Sequence, residues 1–460
     1  MTQTRDLVPV HIVSLGCARN EVDSEELAAR FLAGGFTLTD SRDDARVIVV
    51  NTCGFIEAAK MESLEEIFST STQATGHKPT VVVAGCMAER YGQELASSLP
   101  EGDAIIGFDG YDDIASTVRN LVTGGRIQAH TPTDRRQLLP IAPIQRVDHH
   151  GPPWVPSQRV RLNNSPSAPL KIASGCDRRC AFCSIPSFRG SFQSRRPEDI
   201  LHEAQWLAGQ SVKELFLVSE NTTSYGKDIG SGALESLIAQ LSLVEAIEWI
   251  RLSYLQPAEV RPSLIEAIAS TPKVVPYFDL PFQHASGSVL RRMRRFGDAE
   301  TFLGLIDQVR QIMPDAGIRT NVIVGFPGET ETDYEILTQF IGEAGLDAVG
   351  VFGYSDEEGT EAAGLDGHVD EDEIHAREVA LREFADTVTA MRAEDRVGNE
   401  VKVLIEEVAS GESQGRSQQQ GPEDGQCYIA GAEYPRGEIL SGRIVDTDGV
   451  DWQIEVYDCL

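Results

Sequence analysis

The chain has 460 residues, room for several domains and a large core. Its 40 basic and 71 acidic residues leave a formal charge of −31, which repels a phosphate backbone and argues against a nucleic-acid partner, while a basic protein would be attracted. No apolar run approaches the roughly 18 residues that span a bilayer, and the opening "MTQTRDLVPVHIVSLGC" lacks the basic region, apolar stretch and cleavage site of a signal peptide, so no membrane partner is expected and the cytoplasm is the expected compartment.

In that reducing compartment, eight cysteines point to metal ligation or catalysis before disulfides. Residues 1–125 read as alternating strands and helices. Three short β-branched runs, "PVHIVSLGC", "ARVIVVNTCG" and "PTVVVAGCM", reach Cys17, Cys53 and Cys86. Helical patterns such as "SEELAARFLAGG" and "MESLEEIFS" follow, which predicts βα units around a parallel sheet. Ligands of open α/β sheets bind beyond the carboxyl ends of the strands, and each cysteine stands at such an end. Residues 126–168 are rich in proline, have no sustained period and predict a linker.

From 169 to 396 the alternation returns. Strands are expected at "LKIASGC", "KELFLVSEN", "WIRLSYLQP", "PYFDLPFQH", "RTNVIVGFPG" and "AVGVFGYS", separated by helical patterns such as "PEDILHEAQWLAGQ". These βα units predict a partial (β/α)6 barrel whose site lies at the strand C-termini. Residues 397–460 shorten to strands and turns, "EVKVLIEEV", "GQCYIAG", "EILSGRIVD" and "WQIEVYD", and predict a small all-β barrel. The expected fold class is therefore α/β, with a parallel-sheet domain first and an all-β domain last.

The stretch "ASGCDRRCAFCSIP" carries Cys176, Cys180 and Cys183 at C-x3-C-x2-C spacing, directly after the first strand of the expected partial barrel. A structural zinc wants four nitrogen or sulfur ligands. This loop supplies three thiols and no local fourth. A 4Fe–4S cubane held by three cysteines leaves one iron open to a substrate or cofactor. A zinc site completed from elsewhere in the chain is the alternative, and with it a metal-binding protein without enzymatic activity. Cys17, Cys53 and Cys86 each resemble a buried structural thiol when taken singly. Together, three thiols at three strand ends form a candidate second three-ligand set.

This loop resembles that of the radical S-adenosylmethionine superfamily. The resemblance implies that the open iron chelates the methionine part of S-adenosylmethionine and that a 5′-deoxyadenosyl radical is formed. With Cys17, Cys53 and Cys86 and the small C-terminal barrel, the chain is similar to the MiaB/RimO methylthiotransferase family along essentially its whole length. That family has a two-cluster arrangement and a C-terminal TRAM barrel. The resemblance implies two 4Fe–4S clusters, one on Cys176, Cys180 and Cys183, the other on Cys17, Cys53 and Cys86 and concerned with sulfur. It also implies an electron donor such as flavodoxin or ferredoxin.

One branch modifies an adenosine of transfer RNA; the other modifies the β-carbon of an aspartate in ribosomal protein S-twelve of the small subunit. "SLGCARNEVDSE", "ASGCDRRCAFCSIPSFRG", "SRRPEDI", "NTTSYG", "YFDLPFQHASGSVLRRMRR" and "IRTNVIVGFPGETE" look like the second branch. The C-terminal segment agrees: from Asn399 onward it has 13 acidic and 4 basic residues, a balance suited to a basic ribosomal protein and unsuited to RNA. Glu220-Asn221 departs from that branch, which usually has glutamine then aspartate there.

The resemblance implies S-adenosylmethionine contacts at Phe182, beside the last cysteine, and at Glu220, an acceptor for the amino group; "NVIVGFPGE" itself places Gly325 and Gly328 where backbone can approach a ligand, and Gly325 is taken as a further contact. His284 is expected to be a satisfied structural histidine more than a catalytic one. Arg291 to Arg295 read as a solvated face with a possible role toward an acidic substrate or an electron donor. Cys427 and Cys459 read as ordinary thiols.

Overall fold

The computed structural model describes residues 7–71, 78–138, 159–230, 234–409 and 411–457. The chain forms two compact units: residues up to Asn164 with Gly175–Asp177 and Ser184–Ser191, and the remainder.

In the first unit, strands β1 (Val8–Ser14), β2 (Phe36–Leu38), β3 (Val47–Thr52), β4 (Thr80–Gly85) and β5 (Ala104–Ile105) form a five-stranded sheet among the described residues. Their order is β2-β1-β3-β4-β5, and each pairing is parallel. Helices α1 (Ala18–Ala33), α2 (Glu57–Ser71), α3 (Cys86–Ser98), α4 (Ile114–Val122) and the short α5 (Ile185–Arg189) belong to the same unit.

The sheet is buried on both faces, which is why β3 and β4 read as unbroken apolar runs. Val47 and Val49 pack with Phe31 and Ile114 on one face; Ile48 and Val50 pack with Ile67 and Leu95 on the other. This order places a topological switch point between β1 and β3, where ligands of such sheets bind. The expected linker packs on this unit at both described ends. His130 N–H donates to Ile105 O at 3.0 Å. Arg159 Nε meets Glu25 Oε2 at 2.5 Å, both buried. The middle of the linker lies outside the described residues.

In the second unit, β6 (Ser167–Lys171) is followed by a two-residue antiparallel pair, β7 (Ala173–Ser174) and β8 (Gln193–Ser194), at the base of the cysteine loop. Then come β9 (Glu214–Val218), β10 (Trp249–Leu252), β11 (Tyr277–Asp279), β12 (Gly317–Val324) and β13 (Ala348–Gly353). Two parallel sheets result, β10-β9-β6 and β11-β12-β13, with a parallel bridge between Ile250 and Val274. No pairing among the described residues joins β6 to β13, so the expected partial barrel is what forms.

Helices α6 (Pro197–Gly209), α7 (Leu234–Leu241), α8 (Pro262–Ser270), α9 (Gly287–Arg292), α10 (Ala299–Ile312), α11 (Glu331–Ala344) and α12 (Glu371–Glu394) follow in chain order. Their apolar stripes close the core over the strands: Ile200, Leu237, Ile265, Leu290, Ile306, Leu337 and Leu381 join one cluster with Leu170, Leu217 and Val322. A capping box of Thr330 and Asp333 starts α11 immediately after the "GFPGE" turn.

The C-terminal segment closes into a barrel in the order β14-β15-β16-β18-β17. Its strands are β14 (Glu400–Ala409), β15 (Glu412–Ser417), β16 (Cys427–Ala430), β17 (Ile439–Asp448) and β18 (Asp451–Val456). The turn after β15 packs against the N-terminal ends of the parallel strands, the end opposite the cysteine loop. Arg251 of β10 donates to Gln418 O at 2.9 Å and Ser417 O at 3.2 Å. Tyr277 donates to Asp424 at 2.5 Å, and Arg319 to Glu423 at 2.9 Å. Gly317 is at the contact because a Cβ there would collide with the Gln419 carbonyl.

Candidate functional site

The first unit brings together the three cysteines that the sequence placed at strand ends. Cys17 is the N-cap of α1, after Gly16, whose φ is +82°. Cys53 follows β3 directly, and Cys86 opens α3 after Gly85, whose φ is +89°. A Cβ on Gly16 would stand 2.7 Å from Cys53 Cβ and 3.0 Å from its Sγ, so that thiol lies against the Gly16 backbone. Gly54 packs against Met87 N at 2.8 Å and the Cys86 carbonyl carbon at 3.0 Å if given a Cβ. Only glycine permits these approaches.

Asn20, missed in the sequence reading, organises this end of the sheet. Its Nδ2 donates to Leu15 O and to Thr52 O, both at 3.0 Å, bridging the ends of β1 and β3. Its Oδ1 lies 3.7 Å from Cys86 Sγ. The signal was a polar residue one helical turn after Cys17, on the buried side of an amphipathic helix.

The three thiols feel one another. Burial pushes the Cys86 thiol up to about 11; Arg189 opposes this, and the Cys17 and Cys53 charges add to it. Burial likewise raises Cys53, against a backbone hydrogen bond from Phe55 and with the Cys17 charge. At Cys17 burial acts upward too, but Arg19, Arg189 and the Asn20 N–H prevail and hold it below the ordinary thiol value. Among the described residues, no three His, Cys, Asp or Glu side chains are gathered tightly enough to ligate a single metal ion. A cubane asks for a wider set, because each thiolate binds a different iron. Three neighbouring thiols with no fourth donor beside them among the described residues fit such a group.

The second cysteine set occupies the loop after β7. Cys183 N–H donates to Cys180 O at 3.1 Å, a tight turn that includes Phe182. The Ala181 backbone is held on both sides, donating to Met293 O at 3.0 Å and accepting from Ala362 N at 2.8 Å. Phe182 is half-buried against the core. Cys176 N–H donates to Gly190 O at 3.1 Å within the first unit. Each of the three thiols of this loop is half-exposed, as a cluster with an open position asks of its ligands.

Around that loop in the second unit, Glu259 is the anchor. It accepts from Arg178 of the cysteine loop, from Lys227 at 2.6 Å, from Ser224 at 2.8 Å and from Asn221 at 3.3 Å. Burial would raise its carboxyl, but these donors and the Arg178 charge hold it down at about 2. Glu220 lies beyond the end of β9, 8% exposed. Asn221, which departs from the pattern of the second branch, is thus one of the residues that steady Glu259.

Gly325 has φ +75° at the end of β12; its N–H donates to Glu329 Oε2 at 2.9 Å and a Cβ would strike Ile374. His284 is buried. Its Nδ1 accepts from Ser286 N at 2.9 Å, and its Nε2 stands 3.3 Å from Glu329 Oε2. That places the proton on Nε2, which makes no hydrogen bond to Glu329; the turn that begins at Gly325 is steadied by its own N–H on the Glu329 carboxylate. The arginine run is only in part the solvated face expected of it: Arg291 and Arg294 are exposed, while Arg292 and Arg295 are half-buried. Arg292 donates to Pro327 O, Arg294 pairs with Glu361, and Arg295 reaches Gln256 at 2.7 Å and Cys180 Sγ at 3.9 Å. These side chains pin loops around the site. Cys427 is buried in the C-terminal barrel against Gln420, and burial raises its thiol. Cys459 lies outside the described residues.

Comparison with known proteins matches residues 9–107 to the uncharacterized protein family UPF0004, 170–341 to the radical SAM superfamily and 397–456 to the TRAM domain. A ribosomal protein uS12 methylthiotransferase RimO of Saccharopolyspora erythraea is 56% identical, over 96% of this chain and 94% of that one. The protein of the same name from a Nocardioides species is 54% identical over 97% of each. Among solved structures, the chain resembles a radical S-adenosylmethionine methyltransferase, TsrM, of Kitasatospora setae, solved with cobalamin and a 4Fe–4S cluster bound. The TM-score is 0.53 at 14% identity, over 89% of this chain and 80% of that one, a likeness of fold.

Proposed function

Because the chain belongs to the RimO family of ribosomal protein uS12 methylthiotransferases, we propose that it attaches a methylthio group to the β-carbon of an aspartate in uS12. It is a methylthiotransferase of the radical SAM superfamily. The observation that carries the substrate is the identity above 50% along almost the full length to relatives of that name.

In this reading Cys176, Cys180 and Cys183 hold the cluster whose open iron takes S-adenosylmethionine, with Phe182, Glu220 and Gly325 as contacts. Cys17, Cys53 and Cys86 hold the second cluster. When bound, these groups supply the electron that yields a 5′-deoxyadenosyl radical and the sulfur for insertion, while a second S-adenosylmethionine gives the methyl group. The protein's part is placement. Glu259 fixes Arg178 and so the cysteine loop. Glu329, held by Arg377, fixes the Gly325 turn.

The C-terminal barrel supports a protein substrate over RNA. Of its four basic side chains Arg416 is buried, which leaves Lys402, Arg436 and Arg443 exposed on an acidic surface. Such a surface attracts a basic ribosomal protein and repels RNA. A flavodoxin or ferredoxin as electron donor and a cytoplasmic site of action complete the proposal.

Anaerobically reconstituted enzyme, with S-adenosylmethionine and reductant, is incubated separately with uS12 and with transfer RNA. Mass spectrometry is expected to find one methylthio group on a uS12 aspartate. A gain on the RNA adenosine with none on the protein would overturn the assignment.

A further inference from the structure

Arg189 closes α5 and belongs to the first unit. Its Nη2 lies 2.9 Å from Asp23 Oδ2, 3.1 Å from Asn20 Oδ1 and 3.2 Å from Cys86 Sγ. The guanidinium stacks over the Phe108 ring at 4.6 Å. Only 8% of the Arg189 side chain and 7% of Asp23 reach solvent. A cation in such a place is aimed: the carboxylate neutralises it, the ring carries its face, and Nη2 shares its two hydrogens among the carboxylate, the amide oxygen and the sulfur.

We propose that Arg189 is a positioning residue that sets the reduction potential of the cluster on Cys17, Cys53 and Cys86 by donating a charge-assisted hydrogen bond to Cys86 Sγ. The proposal rests on the reading that those thiols hold a cluster. Reduction adds negative charge to the cluster and its ligand sulfurs. Hydrogen bonds to sulfur and a nearby cation stabilise that charge, more so where solvent is excluded. Arg189 therefore raises the potential. With Asp23→Asn in place, so that no carboxylate is left unpaired, a merely structural Arg189 would leave the potential where it is when it is replaced.

The test uses the full chain with Cys176→Ala, Cys180→Ala and Cys183→Ala, so that one cluster remains. After anaerobic reconstitution and iron and sulfide analysis, a dithionite titration followed by electron paramagnetic resonance gives the midpoint. With Asp23→Asn in place, Arg189→Gln is expected to lower the reduction constant about tenfold, which is about 59 mV for one electron. Arg189→Lys, which keeps the charge, is expected to lose less than half of that shift. Unchanged midpoints in both variants overturn the proposal. Loss of iron from both also overturns it, because Arg189 would then be an assembly residue. Absence of iron before any change at Arg189 sinks the cluster reading itself, and the proposal with it.

Discussion

Glu214 and Arg251 meet at 2.6 Å with neither side chain reaching solvent. Glu214 also takes Arg416 of the C-terminal barrel at 2.5 Å, and Arg416 in turn holds Glu406 at 2.7 Å. One carboxylate thus ties β9, β10 and β15 together. Truncating one member of a buried pair strands the charges that remain, at about 3–5 kcal/mol. Glu214→Ala is expected to lower the urea midpoint of the second unit accordingly. Trp249 and Trp452, both buried, report it by fluorescence. An unchanged midpoint would show that the network is idle. Burial works against the Glu214 carboxylate, but Arg251 and Arg416 hold it down at about 2. A depressed carboxylate stabilises the fold above its unfolded value, so this contribution is lost as pH falls from the ordinary range toward 2.

Asp279 shows the opposite sign. Burial pushes it up to about 6, against Arg319 and the Tyr254 N–H that it accepts at 2.8 Å. Folding therefore favours its protonated form. That contribution is full below the unfolded value and is lost as pH rises through about 6. Asp279→Asn removes the titration. Thermal midpoints of the wild type are expected to fall relative to the variant between pH 4 and pH 7. Parallel profiles would refute this.

Asn20→Ala removes both hydrogen bonds that join the ends of β1 and β3 and takes a donor from the buried Thr52 carbonyl and the half-buried Leu15 carbonyl. Each costs roughly 1–3 kcal/mol. The expected result is a lower unfolding midpoint of the first unit and loss of iron from Cys17, Cys53 and Cys86, while the other cysteine set keeps its share. Full iron content in the variant would deny Asn20 this role.

The two cysteine sets are expected to separate by function. Replacing Cys17, Cys53 and Cys86 by Ala should abolish methylthio transfer but leave reductive cleavage of S-adenosylmethionine, followed as 5′-deoxyadenosine. Replacing Cys176, Cys180 and Cys183 should abolish both. Cleavage that survives the second replacement would exchange the assignments.

The strand ends that carry cysteines were legible because β3 and β4 are buried on both faces, which makes them plain apolar runs. β2 and β5, three and two residues long, left no pattern to read. β15, "ESQGRS", was missed for a different reason. Its positions are polar or small, and Gly415 packs directly against the Leu404 carbonyl, so contact with backbone replaces apolar burial. Arg292 and Arg295 looked like part of a solvated run, because nothing local shows that the Pro327 carbonyl and Gln256 come to meet them.

By itself the sequence determined the order of α/β and all-β segments, the placement of cysteines at strand ends and the three-thiol loop, since each is written in local period and spacing. Tertiary structure alone decided that Asn20 and Arg189 meet at Cys86, and that Glu214 and Arg251 are buried against the C-terminal barrel. A charged or polar residue within one segment gives no sign of its partner when that partner is brought near only by the folding of a distant stretch of chain.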